Sequence, residues 1–173
     1  DVAREDVGAI IVCTQSPDHI MPPNSTILQH RLGLPTTAAA FDFTLACSGF
    51  IYGLMMGKAM IESGAMNNII IVTSETYSKL IHPDDRATMA LFGDGAAATL
   101  LRSDSIGLGE FELGSDGGGM DKFIVLAGGS RTPKSPQTAV EMTLRSCHRK
   151  VTLRRPATLH LRFHLVCINV HKQ

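Results

Sequence analysis

Residues 37–64, TAAAFDFTLACSGFIYGLMMGKAMIESG, set an apolar run directly before a second, longer one. Thr37–Ala46 is a short apolar run, which reads as a strand. Ser48–Gly64 then reads as a helix. Its Phe50, Ile51, Leu54, Met55, Met56, Ala59, Met60 and Ile61 are apolar on nearly every face, and only Lys58 and Glu62, four apart, give it a polar edge. Such a helix is expected to lie mostly buried between layers.

Working outward, Val7–Thr14 (VGAIIVCT) is a second apolar run, a strand buried on both faces. Gln15–Asn24, with Pro17, Pro22 and Pro23, must be a loop. Ser25–Leu34 is helical by composition, with Asn24 as N-cap and Gly33 as stop. Asn68–Thr73 and Ala96–Leu101 read as further buried strands, the second following a Gly93-Asp94-Gly95 turn. Gly107–Leu113 reads as one more strand and Gly114–Met120 as a flexible loop. Alternating apolar runs and helices define an α/β layered domain.

The chain has 173 residues, 44% of them hydrophobic, enough for one domain with a core. Its longest apolar stretches are too short to span a bilayer, and no signal peptide is visible, so the expected compartment is the cytoplasm. Cys13, Cys47, Cys147 and Cys167 form no CxxC pair, which argues against a metal site and for free thiols.

The formal charge of zero argues against nucleic acid as a partner, but it hides two opposite segments. Residues 1–139 hold 9 Lys and Arg against 15 Asp and Glu, whereas residues 140–173 hold 7 against Glu141 alone. All 16 glycines lie between Gly8 and Gly129. Residues 140–173 therefore form an atypical basic tail, frameshifted or disordered, with one strand-like alternation at Leu159, Leu161, Phe163 and Leu165.

Cys47 sits where the strand turns into the helix. The positive end of a helix dipole favours thiolate there, so Cys47 is a candidate nucleophile, the alternative being a buried structural cysteine. Cys13, inside a strand, reads as core.

Four segments in order, TQSPDHIMPPNSTILQHRLGL, AAAFDFTLACSGFIYGL, HPDDRATMALFGDGAAATLL and LAGGSRTPKSP, resemble the β-ketoacyl-acyl carrier protein synthase III group of the thiolase superfamily, over about residues 7–136. The resemblance implies a thiolase-like α/β/α fold with a mixed sheet, present here as an incomplete first half-domain. It implies a decarboxylating condensing enzyme that is acylated by acyl-CoA and condenses with malonyl-acyl carrier protein, these being substrates and no cofactor being required.

By the same resemblance Cys47 is the acylated residue and Arg86 contacts the coenzyme A nucleotide, the alternative being a solvated charge. Met21 walls the acyl pocket of a second copy, the alternative being ordinary packing. Phe50 and the Gly93-Asp94-Gly95 turn support the site, although an Asp between glycines is by itself a turn former. The family's sheet order implies strands joined as 3-2-4-5, with the edge beside residues 96–101 uncovered and homodimerisation through the edge strand at 38–45.

The resemblance also implies parts not found in these 173 residues: an opening strand with a tryptophan, although the chain has no Trp, and a second half with a catalytic His and Asn. His148, His160, His164, Asn169 and His171 lack the surrounding pattern and spacing. Condensation is therefore not expected from this chain alone. The apolar helix without its second half predicts poor solubility or a covering partner. A separate class of reading remains, a non-catalytic protein whose basic tail binds nucleic acid or an acidic partner. A reading-frame shift or chimeric join is the preferred account of the tail.

Overall fold

The computed structural model describes residues 2–104, 108–121, 123–133, 135, 142–144 and 166–168. In chain order these form strand β1 (Ala9–Cys13), helix α1 (Asn24–Arg31), β2 (Ala39–Phe43), α2 (Gly49–Glu62), β3 (Asn68–Thr76), the short α3 (Arg86–Met89), β4 (Asp94–Arg102), β5 (Phe123–Val125), β6 (Met142–Leu144) and β7 (Val166–Ile168). They divide into two units. The first holds β1, α1, β2, α2, most of β3 and β4, and β7, and the second holds residues 76–94 with β5 and β6.

The first unit is one sheet ordered β2-β1-β3-β4-β7. β1 runs parallel to both neighbours, pairing Cys13 with Phe43 on one side and with Thr73 on the other. β4 and β7 are antiparallel, so the sheet is mixed. All five residues of β1 are buried, as the unbroken apolar run requires.

Strand alternation sends Ala9, Ile11, Ile69 and Ile71 to one face, where they meet Leu54 of α2. Ile10 faces the other way and packs with Val7, Leu34 and, from α1, Leu28. A helix thus covers each face of the sheet, which makes the unit an α/β/α layer.

The order β2-β1-β3-β4 is the 3-2-4-5 order that the resemblance implies. The expected open edge beside β4 is corrected: β7 pairs there, Ala96 opposite Ile168 and Ala98 opposite Val166. Residues 108–113 form no strand, and Leu108 and Phe111 instead pack against the core. Gly117–Gly119 is a 3-10 turn, with Asp116 Oδ1 accepting from Gly118 N at 2.9 Å, where a flexible loop was expected. In the second unit β5 and β6 pair antiparallel, a hairpin that composition did not reveal. The Leu159–Leu165 alternation, Cys147 and the tail histidines lie outside the described residues.

Helix α2 also departs from expectation. Its buried residues are Gly49, Gly53, Leu54 and Gly57, while the large Ile51 is 44% exposed and Met55 and Met56 are half-buried. The three glycines recur every four residues and so line one face. A Cβ on Gly53 would stand 3.1 Å from Ile71 Cγ2, and one on Gly57 2.5 Å from Leu101 Cδ1. The helix therefore lies close on the sheet along a stripe of glycines beside Leu54, and it is not buried on all sides.

Candidate active site

Because β1, β2 and β3 are parallel, the segments that follow them leave from the same edge of the sheet. The carboxyl edge of a parallel sheet is where α/β proteins place their sites.

The segment after β2 is the turn of residues 44–48. Its Cys47 is exposed, two residues before α2 begins, which sets aside the alternative of a buried structural cysteine. The turn leads directly into the first residue of α2, Gly49. The turn is held by Thr14 N donating to Phe43 O at 3.2 Å, Cys13 Sγ to Leu45 O at 3.2 Å and Gly49 N to Ala46 O at 2.8 Å. Cys13 itself is buried, as expected of core, and burial pushes its thiol pKa upward. Phe50, the second residue of α2, is half-buried against the main core cluster and so ties the start of the helix to the sheet.

The segment after β1 is the loop of residues 15–23. Glu75, near the end of β3, accepts from Gln15 N at 2.8 Å and from Ser16 Oγ at 2.9 Å. Asp42, on β2, accepts from Asn24 N at 2.7 Å and from Ser25 N at 2.8 Å. The strands on either side of β1 thus each lend one carboxylate to an end of the loop that β1 feeds. Inside it, Asn24 Oδ1 accepts from Asp18 N at 3.1 Å, and the Met21-Pro22 peptide is cis.

At the tip, Ile20 is 97% and Met21 79% exposed, so ordinary packing within the described chain does not account for Met21. Asn24 is not the N-cap that composition indicated. It is the first residue of α1, and Asp42 caps the helix from the neighbouring strand. Neither Glu75 nor Asp42 stood out in the sequence, although Asp42 is the one charge in an otherwise apolar strand.

Arg86 belongs to the second unit. It is exposed at the first position of α3, with no ion pair among the described residues. Asp85 caps that helix, its Oδ1 accepting from Thr88 N at 3.0 Å. The side chain and amide of Thr88 hold the Asp85 pKa below its ordinary 3.8. Asp94 accepts from Ser78 N at 2.9 Å and Ser78 Oγ at 2.6 Å, and Tyr77 meets Phe92 edge to face at 5.5 Å. Asp94 therefore has a structural tie, but the expected Gly93-Asp94-Gly95 turn is corrected: Asp94 and Gly95 are the first residues of β4.

The structure thus brings Cys47 and Phe50 together around the start of α2, sets Met21 on the loop after β1, and leaves Arg86 on a separate unit. Among the described residues no group of three His, Cys, Asp or Glu could hold a metal ion. No helix among them is long and apolar enough to cross a membrane.

A mixed sheet in this strand order, layered by helices and with an exposed cysteine at the β2–α2 turn, defines a thiolase-like α/β fold. The family model for 3-oxoacyl-[acyl-carrier-protein] synthase III matches residues 41–117. A β-ketoacyl-[acyl-carrier-protein] synthase III of Streptomyces coelicolor is 41% identical over 133 residues, 75% of this chain and 39% of its own length. A crystal structure of a 3-oxoacyl-(acyl-carrier-protein) synthase III superposes with a TM-score of 0.78 at 39% identity, over 83% of this chain and 47% of that one. The priming β-ketosynthase of the R1128 polyketide pathway superposes at 0.66 with 32% identity, over 71% and 37%. Over part of its length the chain is 3-oxoacyl-acyl carrier protein synthase III-like, with the likeness of the thiolase superfamily. It spans about two fifths of the length of the curated relatives it matches.

Proposed function

We propose that the chain is the acyl-accepting part of a decarboxylating condensing enzyme, with Cys47 as the residue acylated by acyl-CoA. The observation that carries this reading is the exposed thiol at the β2–α2 turn, within the segment the family model matches. The Cys47 sulfur attacks the thioester carbonyl carbon, a new carbon–sulfur bond forms, and the bond to coenzyme A breaks. Coenzyme A leaves as its thiol with the proton from Cys47.

Arg86 binds the coenzyme A nucleotide, Phe50 supports the nucleophile turn, and Met21 completes the acyl pocket of a second copy in a homodimer joined through the β2 edge. The exposure of Met21 and the terminal place of β2 in the sheet support the last two assignments. Malonyl-acyl carrier protein is the second substrate of the complete reaction. Condensation with it requires the His and Asn of the second half, so these 173 residues by themselves carry out acylation only.

Incubation with radiolabelled acetyl-CoA tests the reading. Label is expected on the wild-type chain and absent from Cys47→Ala, and equal label on both proteins would overturn the assignment.

A further inference from the structure

The turn of residues 44–48 carries the proposed nucleophile, yet it lies between two regular elements and belongs to neither. Of the three hydrogen bonds that hold it, those from Thr14 N and Gly49 N are main-chain to main-chain, and any non-proline residue could supply them. The third depends on one side chain, the thiol of Cys13.

Cys13 lies two and four residues beyond Ile11 and Ala9 and so shares the face of β1 that α2 covers. It is 4% exposed, and its Sγ reaches Leu45 O, two residues before Cys47. The same sulfur fills the space under the start of α2, where a Cβ on Gly49 would overlap it. Gly49 in turn anchors the far side of the turn through Ala46 O. One side chain therefore meets the turn from below at two points, one before Cys47 and one after it.

We infer that Cys13 is a positioning residue for Cys47: its thiol fixes the height and register of the nucleophile turn through the Leu45 carbonyl and through its contact with Gly49. The inference rests on the reading of Cys47 as the acyl acceptor. Burial in an apolar strand keeps the Cys13 thiol protonated at neutral pH, so the donor is present under working conditions. Reaction rates are sensitive to small displacements of a reacting atom, so a side chain that never touches substrate can govern them.

The test compares the full chain with Cys13→Ser, Cys13→Ala and Cys13→Val, with folding checked by circular dichroism. The primary readout is the alkylation rate of Cys47 by iodoacetamide, followed by mass spectrometry of the Cys47 peptide. The Ser variant keeps a donor and is expected to stay within about twofold of wild type, whereas Ala and Val, the second restoring volume without a donor, slow by about fivefold or more.

Folded Ala and Val variants at the wild-type rate would overturn the inference, and so would a Ser variant as slow as Ala. If Ala and Val do not fold, Ser against wild type decides, since a slowing beyond about twofold contradicts rescue by a hydroxyl donor. Labelling by acetyl-CoA is a separate arm. A Cys47 that takes no label, while its alkylation still depends on Cys13, overturns the acyl-acceptor reading and leaves the positioning role standing.

Discussion

Two segments leave the same edge of the sheet and are anchored by different chemistry. The loop of residues 15–23 is held at both ends by carboxylates, Glu75 at its start and Asp42 at its finish. The turn of residues 44–48 is held by neutral groups, two main-chain amides and a thiol, and by the close fit of Gly49 over Cys13. Charge-assisted hydrogen bonds are shorter and stronger than neutral ones and depend on the charge rather than on filled volume, whereas a close steric fit tolerates almost no added atom. The loop is thus vulnerable to loss of one charge, and the turn to one added methyl group.

The largest effect is expected where that fit is filled. Gly49→Val places branched carbon on the Cys13 sulfur and should destabilise the chain by about 1–3 kcal/mol, the usual range for overpacking, read as a lower denaturant midpoint. Gly57→Ala is its partner experiment. The atom in the way is the end of the flexible Leu101 side chain, and the helix gains about 1 kcal/mol of propensity, so the net change should be near zero. Equal losses in both would erase the distinction between the turn and the rest of the glycine face.

Next comes the loop. Asp42→Ala removes the acceptor of two amides at the start of α1 and should cost about 1 kcal/mol, as for other lost caps. The Asn24 and Ser25 amides should exchange faster with solvent while Cys47 alkylation is unchanged. A slowed Cys47 would show that the two anchorages are coupled.

The smallest effect belongs to Asp85, a carboxylate that caps its own helix at the surface. Its folded-state pKa is lowered, so its contribution is present above the ordinary 3.8 and disappears as pH falls through the lower folded value. Protection of the Thr88 amide should follow that course, and Asp85→Asn should flatten it. Unchanged Thr88 exchange across the acid range would show that the cap contributes nothing.

Much of this layout is legible along the chain because it rests on local signals. The run at 7–14 is buried on both faces and became β1, and Gly33, with φ of 65°, ends α1 as a C-terminal glycine should. What escaped depends on partners distant in sequence. Asn24 reads as a cap only while Asp42 is out of view, because periodicity cannot show that a neighbouring strand brings a carboxylate to the helix end. Gly49, Gly53 and Gly57 were visible as a spacing, but the apolar side chains around them carried the stronger burial signal. Only the sheet beneath shows that the glycine stripe lies on the inner side. β7 is three residues long, too short for a pattern, and its pairing with β4 comes from the sheet's need to satisfy an edge.

The placement of Glu75 and Asp42 has a consequence for engineering. Both abutments of the 15–23 segment are on strands outside it, so its tip is a replaceable cassette. Closing a flexible loop costs only slowly more as it lengthens, so tips of other lengths and compositions can be grafted between the same two supports with little loss of stability. A library built at residues 17–22 would vary the surface the molecule presents while leaving the sheet and the Cys47 turn as they are.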